Sequence, residues 1–138
     1  MMLPGVLSPD LAQAVAAWAQ WLGDEKRAAP LTLENYHRDL WQFFGFTAQN
    51  LGQKLDLATM AALKPADFRA YLADRHRQGL KASSVARGLS VVRGFFRFLG
   101  RRDLAHNPAL QSLRAPRRPE VLPKALTVAE SRAALDYA

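Results

Sequence analysis

Cysteine is absent from the chain, so neither a disulfide nor a thiolate-ligated metal contributes to its fold. Also missing are an apolar run approaching 18 residues, as a membrane-spanning helix needs, and the basic start and apolar core of a signal peptide. The expectation is a soluble, cytoplasmic protein. His37, His76 and His106 are scattered without metal-ligand spacing, and no glycine-rich loop of either phosphate-cradling pattern occurs. No cofactor and no metal are expected. There are no internal repeats. Acidic residues, finally, almost vanish from one stretch: residues 81–118 hold nine basic side chains against Asp103 alone, a net of +8. The first 80 residues balance eight basic against eight acidic. The excess charge of the chain, +7 over its 138 residues, is therefore concentrated in one stretch, the electrostatic footprint of a polyanion-binding surface.

That stretch opens with KASSVARGLSVVRGFFRFLG, residues 81–100. Val85, Leu89, Val92, Phe96 and Leu99 recur at spacings of four and three, so at about 100° per residue they form one apolar stripe of a helix. The opposite side gathers Ser83, Ala86, Arg87, Ser90, Gly94 and Arg97, with Arg93 at the edge. Small residues beside arginines let a backbone come close to an anionic surface, and nucleic acid is the natural candidate. A merely solvated face is the alternative for this helix taken alone. A basic helix lying on a membrane competes too, but here the aromatics fall in a core-like stripe. Gly88 and Gly94 each cost roughly 1 kcal/mol against alanine inside a helix. Close approach to a ligand, or packing against a neighbouring helix, would account for them.

Before this central helix, three others are expected. After a loose lead-in of eight residues, Ser8 caps the first, with Pro9 at its first position and Leu11, Val15, Trp18 and Leu22 as its stripe up to Gly23. Thr32 is read as the N-cap of the second, whose buried side is Tyr36, Leu40, Phe43, Phe44 and Thr47. Its outer side carries Asn35, Arg38 and Gln42, side chains suited to paired hydrogen bonds with purine edges. Residues 55–63 read as one irregular helical turn, and Pro65 opens the third helix, ending near Gly79. Ser83 or Ser84 caps the central helix. Phe95 and Phe98 lie off its main stripe, facing a third helix or another subunit. Beyond it, Pro108, Pro116, Pro119 and Pro123 forbid a long helix, and Asn107 before Pro108 marks a turn. Residues 116–124 have the composition of a semi-rigid linker. Thr127 with Glu130 then forms a T-x-x-E capping box for a new helix.

Taken together, LTLENYHRDLWQFFGF (residues 31–46), LKPADFRAYLADRHRQGLKASSVARGLSVVRGFFRFL (63–99), HNPA (106–109) and RRPEVLPKALTVAE (117–130) resemble the N-terminal, core-binding domain of the tyrosine recombinases, the bacterial Xer subgroup in particular. The resemblance runs from about Leu11 to the end of the chain. It implies an all-α, SAM-like bundle of four to five helices that forms half of a clamp on duplex DNA, with the second and central helices in neighbouring major grooves. Residues 1–115 would be this core-binding domain, 116–126 an interdomain linker, and 127–138 the first helix of a truncated catalytic domain. By position, the implied DNA contacts are Thr32, Asn35 and Arg38 on the second helix and Lys81, Ser83, Ser84, Arg87, Ser90 and Arg93 on the central one. Arg97 joins them from the helix face above, and Arg117 and Arg118 would track the backbone at the linker. The first helix often serves contacts between subunits in this family, which suits Trp18 and Trp21 if either is exposed.

The resemblance also implies which chemistry is missing. Its catalytic arginines, lysine, histidines and nucleophilic tyrosine lie in the domain that would follow Thr127. No H-x-x-R occurs, since the residues three beyond the histidines are Leu40, Gly79 and Ala109. Tyr36, Tyr71 and Tyr137 are not assigned as nucleophiles. The expected function is DNA binding without cleavage, at an inverted-repeat site and in company with other recombinase subunits, in chromosome dimer resolution or DNA integration. Two readings of other classes stand beside it: a helical protein-interaction module with a basic face for an acidic partner, and a dimeric helix-turn-helix regulator.

Overall fold

The computed structural model describes residues 5–113. Five α-helices and a closing 3₁₀ turn follow one another: α1 Pro9–Asp24, α2 Pro30–Leu51, α3 Leu57–Ala62, α4 Pro65–Arg77, α5 Ala82–Arg101 and the turn Pro108–Ser112. This is the all-α bundle the sequence predicts. The expected linker with Arg117 and Arg118, and the helix expected at Thr127, lie outside the described residues.

Proline punctuates the architecture. Pro9, Pro30 and Pro65 each stand at the first position of a helix, where a missing N–H costs nothing and a fixed φ is already helical. The second helix accordingly begins at Pro30, with Ala29 preceding it, and Thr32 is inside the first turn instead of capping it. Neither Ser83 nor Ser84 caps α5, whose N-cap position is Lys81. Residues 57–62 form a short helix capped by Asp56, which accepts from the backbone N–H of Thr59 at 2.8 Å and from its hydroxyl at 2.7 Å. These bonds hold the Asp56 carboxyl below its usual range.

The lead-in is not loose over its described part. Leu55 donates its N–H to the Val6 carbonyl and accepts the Ser8 N–H at its own, both at 2.8 Å, an isolated parallel bridge between Leu7 and Leu55. At the other end, Asn107 does more than make a turn. Its side-chain amide donates to the carbonyls of Met60 (2.7 Å) and Leu63 (3.0 Å), while its oxygen accepts the N–H of Ala109 (2.9 Å). The loop after α5 is thereby tied to the junction of α3 and α4.

Helix α5 is the centre of the bundle, packed on α1, α2 and α4. Three neighbours explain why its buried arc is wider than one stripe and takes in Gly88, Val91, Phe95 and Phe98 besides the periodic residues. Phe95 meets Trp18 of α1 edge-on at 5.4 Å between ring centroids, and Phe98 meets Trp21 at 5.5 Å. Trp18 is itself core, 2% exposed, so it offers no surface to a partner; Trp21 is half-buried. At the junction of α2, α4 and α5, Phe43 touches Phe44, Phe68, Tyr71 and Phe96 at centroid distances of 5.1–6.2 Å. Such edge-to-face and offset pairs add to the burial itself.

His37, on α2, is half-buried with its ring 6.1 Å from that of Trp18. Burial lowers its pKa from the ordinary histidine value. The unfolded chain therefore binds the proton more readily, and this contribution to stability is complete above about pH 6.5 and is lost as pH falls towards the depressed folded-state value. The melting temperature should drop between pH 7.5 and 5.5, and less steeply in His37→Gln.

Candidate nucleic-acid interface

The outer face of α5 is built as the periodicity predicts. Ser83, Arg87, Ser90 and Arg97 are exposed, and Arg101, one turn beyond Arg97, extends the row. Lys81 is exposed at the N-terminal end, while Ser84 and Arg93 are half-buried. Among the described residues no carboxylate lies within ion-pairing distance of Lys81, Arg97 or Arg101. These cations project without a protein counterion, the condition under which phosphate contact releases condensed salt ions most fully.

Arg87 and Arg93 are placed differently. Arg87 reaches across to α2, where its Nε donates to Oδ2 of Asp39 at 3.2 Å. The Asp39 side chain is 4% exposed and that of Arg87 56%. Arg93 turns away from the ridge and donates through Nη2 to the carbonyl of Leu113, while its buried Nε has no partner. On α2, Arg38 is exposed and donates to Oδ1 of half-buried Asn35 at 3.0 Å. Thr32 is half-buried one turn before them. The packing of α2 on α5 and the Asp39–Arg87 pair join the two helices that carry the predicted faces.

Two grooves flank the ridge. One, of about 370 Å³, runs between α5 and the ends of α1 and α2, lined by Trp18, Trp21, Lys26 and Tyr36 on one side and Arg87, Ser90, Gly94, Arg97 and Arg101 on the other. Lys26 lies over the Trp21 ring, 5.4 Å from its centroid. The second, of about 800 Å³, lies between α5 and the segment after it, and includes Arg93, Arg97, Arg101 and His106. Among the described residues no carboxylate lines either groove.

Residues Asp39, Arg101 and Lys26 were not singled out by the sequence reading. Asp39 carried a signal: it falls three residues after Tyr36 and four before Phe43, so it is a carboxylate on an apolar face, a position that demands a partner. Arg101 is in register with Gly94 and Arg97 and is missed only if the helix is ended at Gly100. Lys26 lies in a connection, where no periodicity could point to it.

The two helical glycines have different causes. A Cβ on Gly88 would stand 3.0 Å from the hydroxyl of Tyr71, whereas one on Gly94 would meet nothing nearer than Arg97 Nη2 at 3.9 Å. Gly88 is a packing residue against α4; Gly94 forms groove floor. Gly94→Ala should therefore stabilise the fold by about 0.5–1 kcal/mol, and Gly88→Leu should destabilise it by about 1–3 kcal/mol through overpacking. Urea unfolding of the two variants checks both signs.

Tyr71 is buried against α2 and α5, which pushes its phenol up to about 12. Among the described residues no group of His, Asp or Glu is placed to hold a metal ion, and no helix is long and apolar enough to cross a membrane.

Residues 15–103 match the family model described as phage integrase, N-terminal SAM-like domain. The chain is 40% identical over 124 residues to a protein of Mesorhizobium japonicum named tyrosine recombinase XerC, covering 90% of this chain and 40% of that one. Proteins of the same name from Rhodospirillum centenum and Bradyrhizobium diazoefficiens are 39% and 38% identical, over 94% and 93% of this chain and 38% and 40% of theirs. The chain thus spans about 40% of the length of these relatives. No solved structure matches it significantly.

Proposed function

This chain belongs to the phage-integrase N-terminal, SAM-like family, and on that premise we propose that it is the DNA-binding domain of a site-specific tyrosine recombinase. The observation that carries the reading is the row on the outer face of α5 of small residues and of cations without a carboxylate partner among the described residues, Lys81, Ser83, Ser90, Gly94, Arg97 and Arg101, on a helix that packs against α2. Phosphate contacts from such a row fix the register of a helix on duplex DNA, and base-edge contacts supply the sequence preference. Arg97 and Arg101 suit phosphates; Ser83, Ser90 and Arg87, with Asn35 and Arg38 on α2, are the side chains for base edges. Arg93, engaged with Leu113, acts by holding the segment after α5.

The division into a core-binding domain (1–115), a linker (116–126) carrying Arg117 and Arg118, and the beginning of a catalytic domain (127–138) belongs to the same proposal, as does strand exchange by the parent protein at an inverted-repeat site with further recombinase subunits. The relatives, named as tyrosine recombinases and longer than this chain, support it. Within this chain the role is to bind and to position.

The test is a fluorescence-anisotropy titration with a duplex carrying a recombinase-type inverted repeat and with a scrambled duplex, at 50 to 200 mM salt. The reading expects affinity that falls steeply with salt, as several phosphate contacts require, and tighter binding of the repeat. Salt-insensitive or absent binding to both duplexes would overturn it.

A further inference from the structure

Resting on that DNA-binding reading, we propose that Asp39 is a positioning residue that presents Arg87 end-on to a guanine, making Arg87 the main base-reading side chain of α5. Asp39 lies on the buried face of α2, where a carboxylate is costly unless it is paired. Among the described residues its one hydrogen-bond partner is Arg87, 48 residues further along the chain. The pair is asymmetric, with the acid enclosed and the base more than half exposed. The carboxylate is thus a fixture of the fold, and the guanidinium is what it holds at the surface.

The atom used is informative. Asp39 takes the Nε hydrogen of Arg87, which leaves the four N–H groups of the two terminal nitrogens free. The guanidinium is a rigid planar fork, so fixing Nε restricts the plane in which both terminal nitrogens point. Guanine offers O6 and N7 side by side at the major-groove edge, and two parallel N–H donors match them. A phosphate can also take the fork through two of its oxygens, so a preference for one guanine is what separates base reading from a backbone contact. Among the described residues Arg97 and Arg101 have no such carboxylate, consistent with adjustable backbone contacts. Around Arg87 the outer face is small, with Ala86 and Ser90 beside it, so the helix can come close enough for the fork to reach a base.

The experiment uses the whole chain and a pool of duplexes with a randomised core. Sequences enriched by the wild type are read out, and affinity is then measured for the enriched duplex and for versions with each guanine replaced. One guanine should carry a preference of roughly 10- to 100-fold in the wild type. Asp39→Asn, nearly isosteric, and Arg87→Lys, which keeps the charge opposite Asp39 but lacks the fork, should each lower that preference about tenfold. The double variant should lose no more than either single one, because the two side chains act as a unit. A merely structural role would lower affinity for all duplexes alike and leave the ratio intact. Unchanged guanine preference in Asp39→Asn, or losses that add, overturns the inference while the DNA reading stands; absence of salt-dependent binding by the wild type overturns both. If Asp39→Asn fails to fold, Arg87→Lys decides alone: preference retained there is a contradiction.

Discussion

Replacing Arg97 and Arg101 together by alanine should lower duplex affinity roughly fifty-fold at 0.1 M salt and flatten the plot of log affinity against log salt by about two. Each phosphate contact contributes about 0.9 to that slope, so each lost contact is worth roughly 0.9 of a decade at 0.1 M relative to 1 M salt. The pair is the informative choice because neither side chain is tied to anything else. Both are exposed, and among the described residues neither has a carboxylate partner. Their removal should change stability by less than about 0.5 kcal/mol. Arg87 and Arg93, which sequence position alone would suggest for the same test, confound it. Truncating Arg87 leaves Asp39 enclosed without its partner, and truncating Arg93 releases the Leu113 carbonyl. A double variant at Arg97 and Arg101 that binds as tightly, with the same salt slope, would place the DNA elsewhere.

The largest expected effect on stability is at Phe43. Its ring is 1% exposed and joins three helices: it stacks on Phe68 of α4 at 6.0 Å with planes 6° apart, meets Tyr71 edge-on at 5.1 Å and Phe96 of α5 edge-on at 6.2 Å. Phe43→Ala removes the transfer free energy of the ring and leaves a cavity between rigid neighbours, at a cost of about 3–5 kcal/mol. A domain of this size is stable by only about 5–15 kcal/mol, so the midpoint of urea unfolding should fall sharply with its slope unchanged. Phe46, half-buried on the same helix with Tyr71 as its ring neighbour at 6.3 Å, should lose much less on the same replacement. Equal losses at the two positions would contradict this view of the core.

What was legible in the sequence follows from periodicity. The stripe of α5, the buried side of α2 and the proline-led starts of α1 and α4 are short-range patterns, and each lies in the structure where spacing puts it. The misreadings are also physical. Thr32, Ser83 and Ser84 are good capping residues, yet α2 starts on Pro30 and α5 at Ala82. Proline's fixed φ starts a helix without a side-chain cap, and Lys81 precedes α5 with no side-chain cap bond, only its carbonyl accepting the Val85 N–H. Phe95 and Phe98 looked off-axis because one stripe assumes one neighbour, whereas α5 has three. The segment before α1 gave no pattern, since its tether is made by backbone groups of Leu55. Asn107 could be read as a turn residue, but its bonds to Met60 and Leu63 span more than forty positions. For the interface, the row on α5 was visible as a face. Among the described residues its arginines separate into Arg97 and Arg101 without a carboxylate, carboxylate-held Arg87 and Arg93 bonded to Leu113; that depends on what other segments bring beside them, and spacing along one helix does not carry it.

The central claim is that the outer face of α5, flanked by α2, meets duplex DNA. Amide chemical-shift mapping by NMR, with the isotope-labelled chain titrated by an inverted-repeat duplex, tests it most directly. The account predicts the largest shifts at Ser83, Arg87, Ser90, Gly94, Arg97 and Arg101, with a second set at Asn35 and Arg38, and little change in α3 or on the exposed side of α4 at Arg69 and Ala73. Shifts concentrated on α3 and α4, with the α5 row unmoved while DNA is bound, would contradict it.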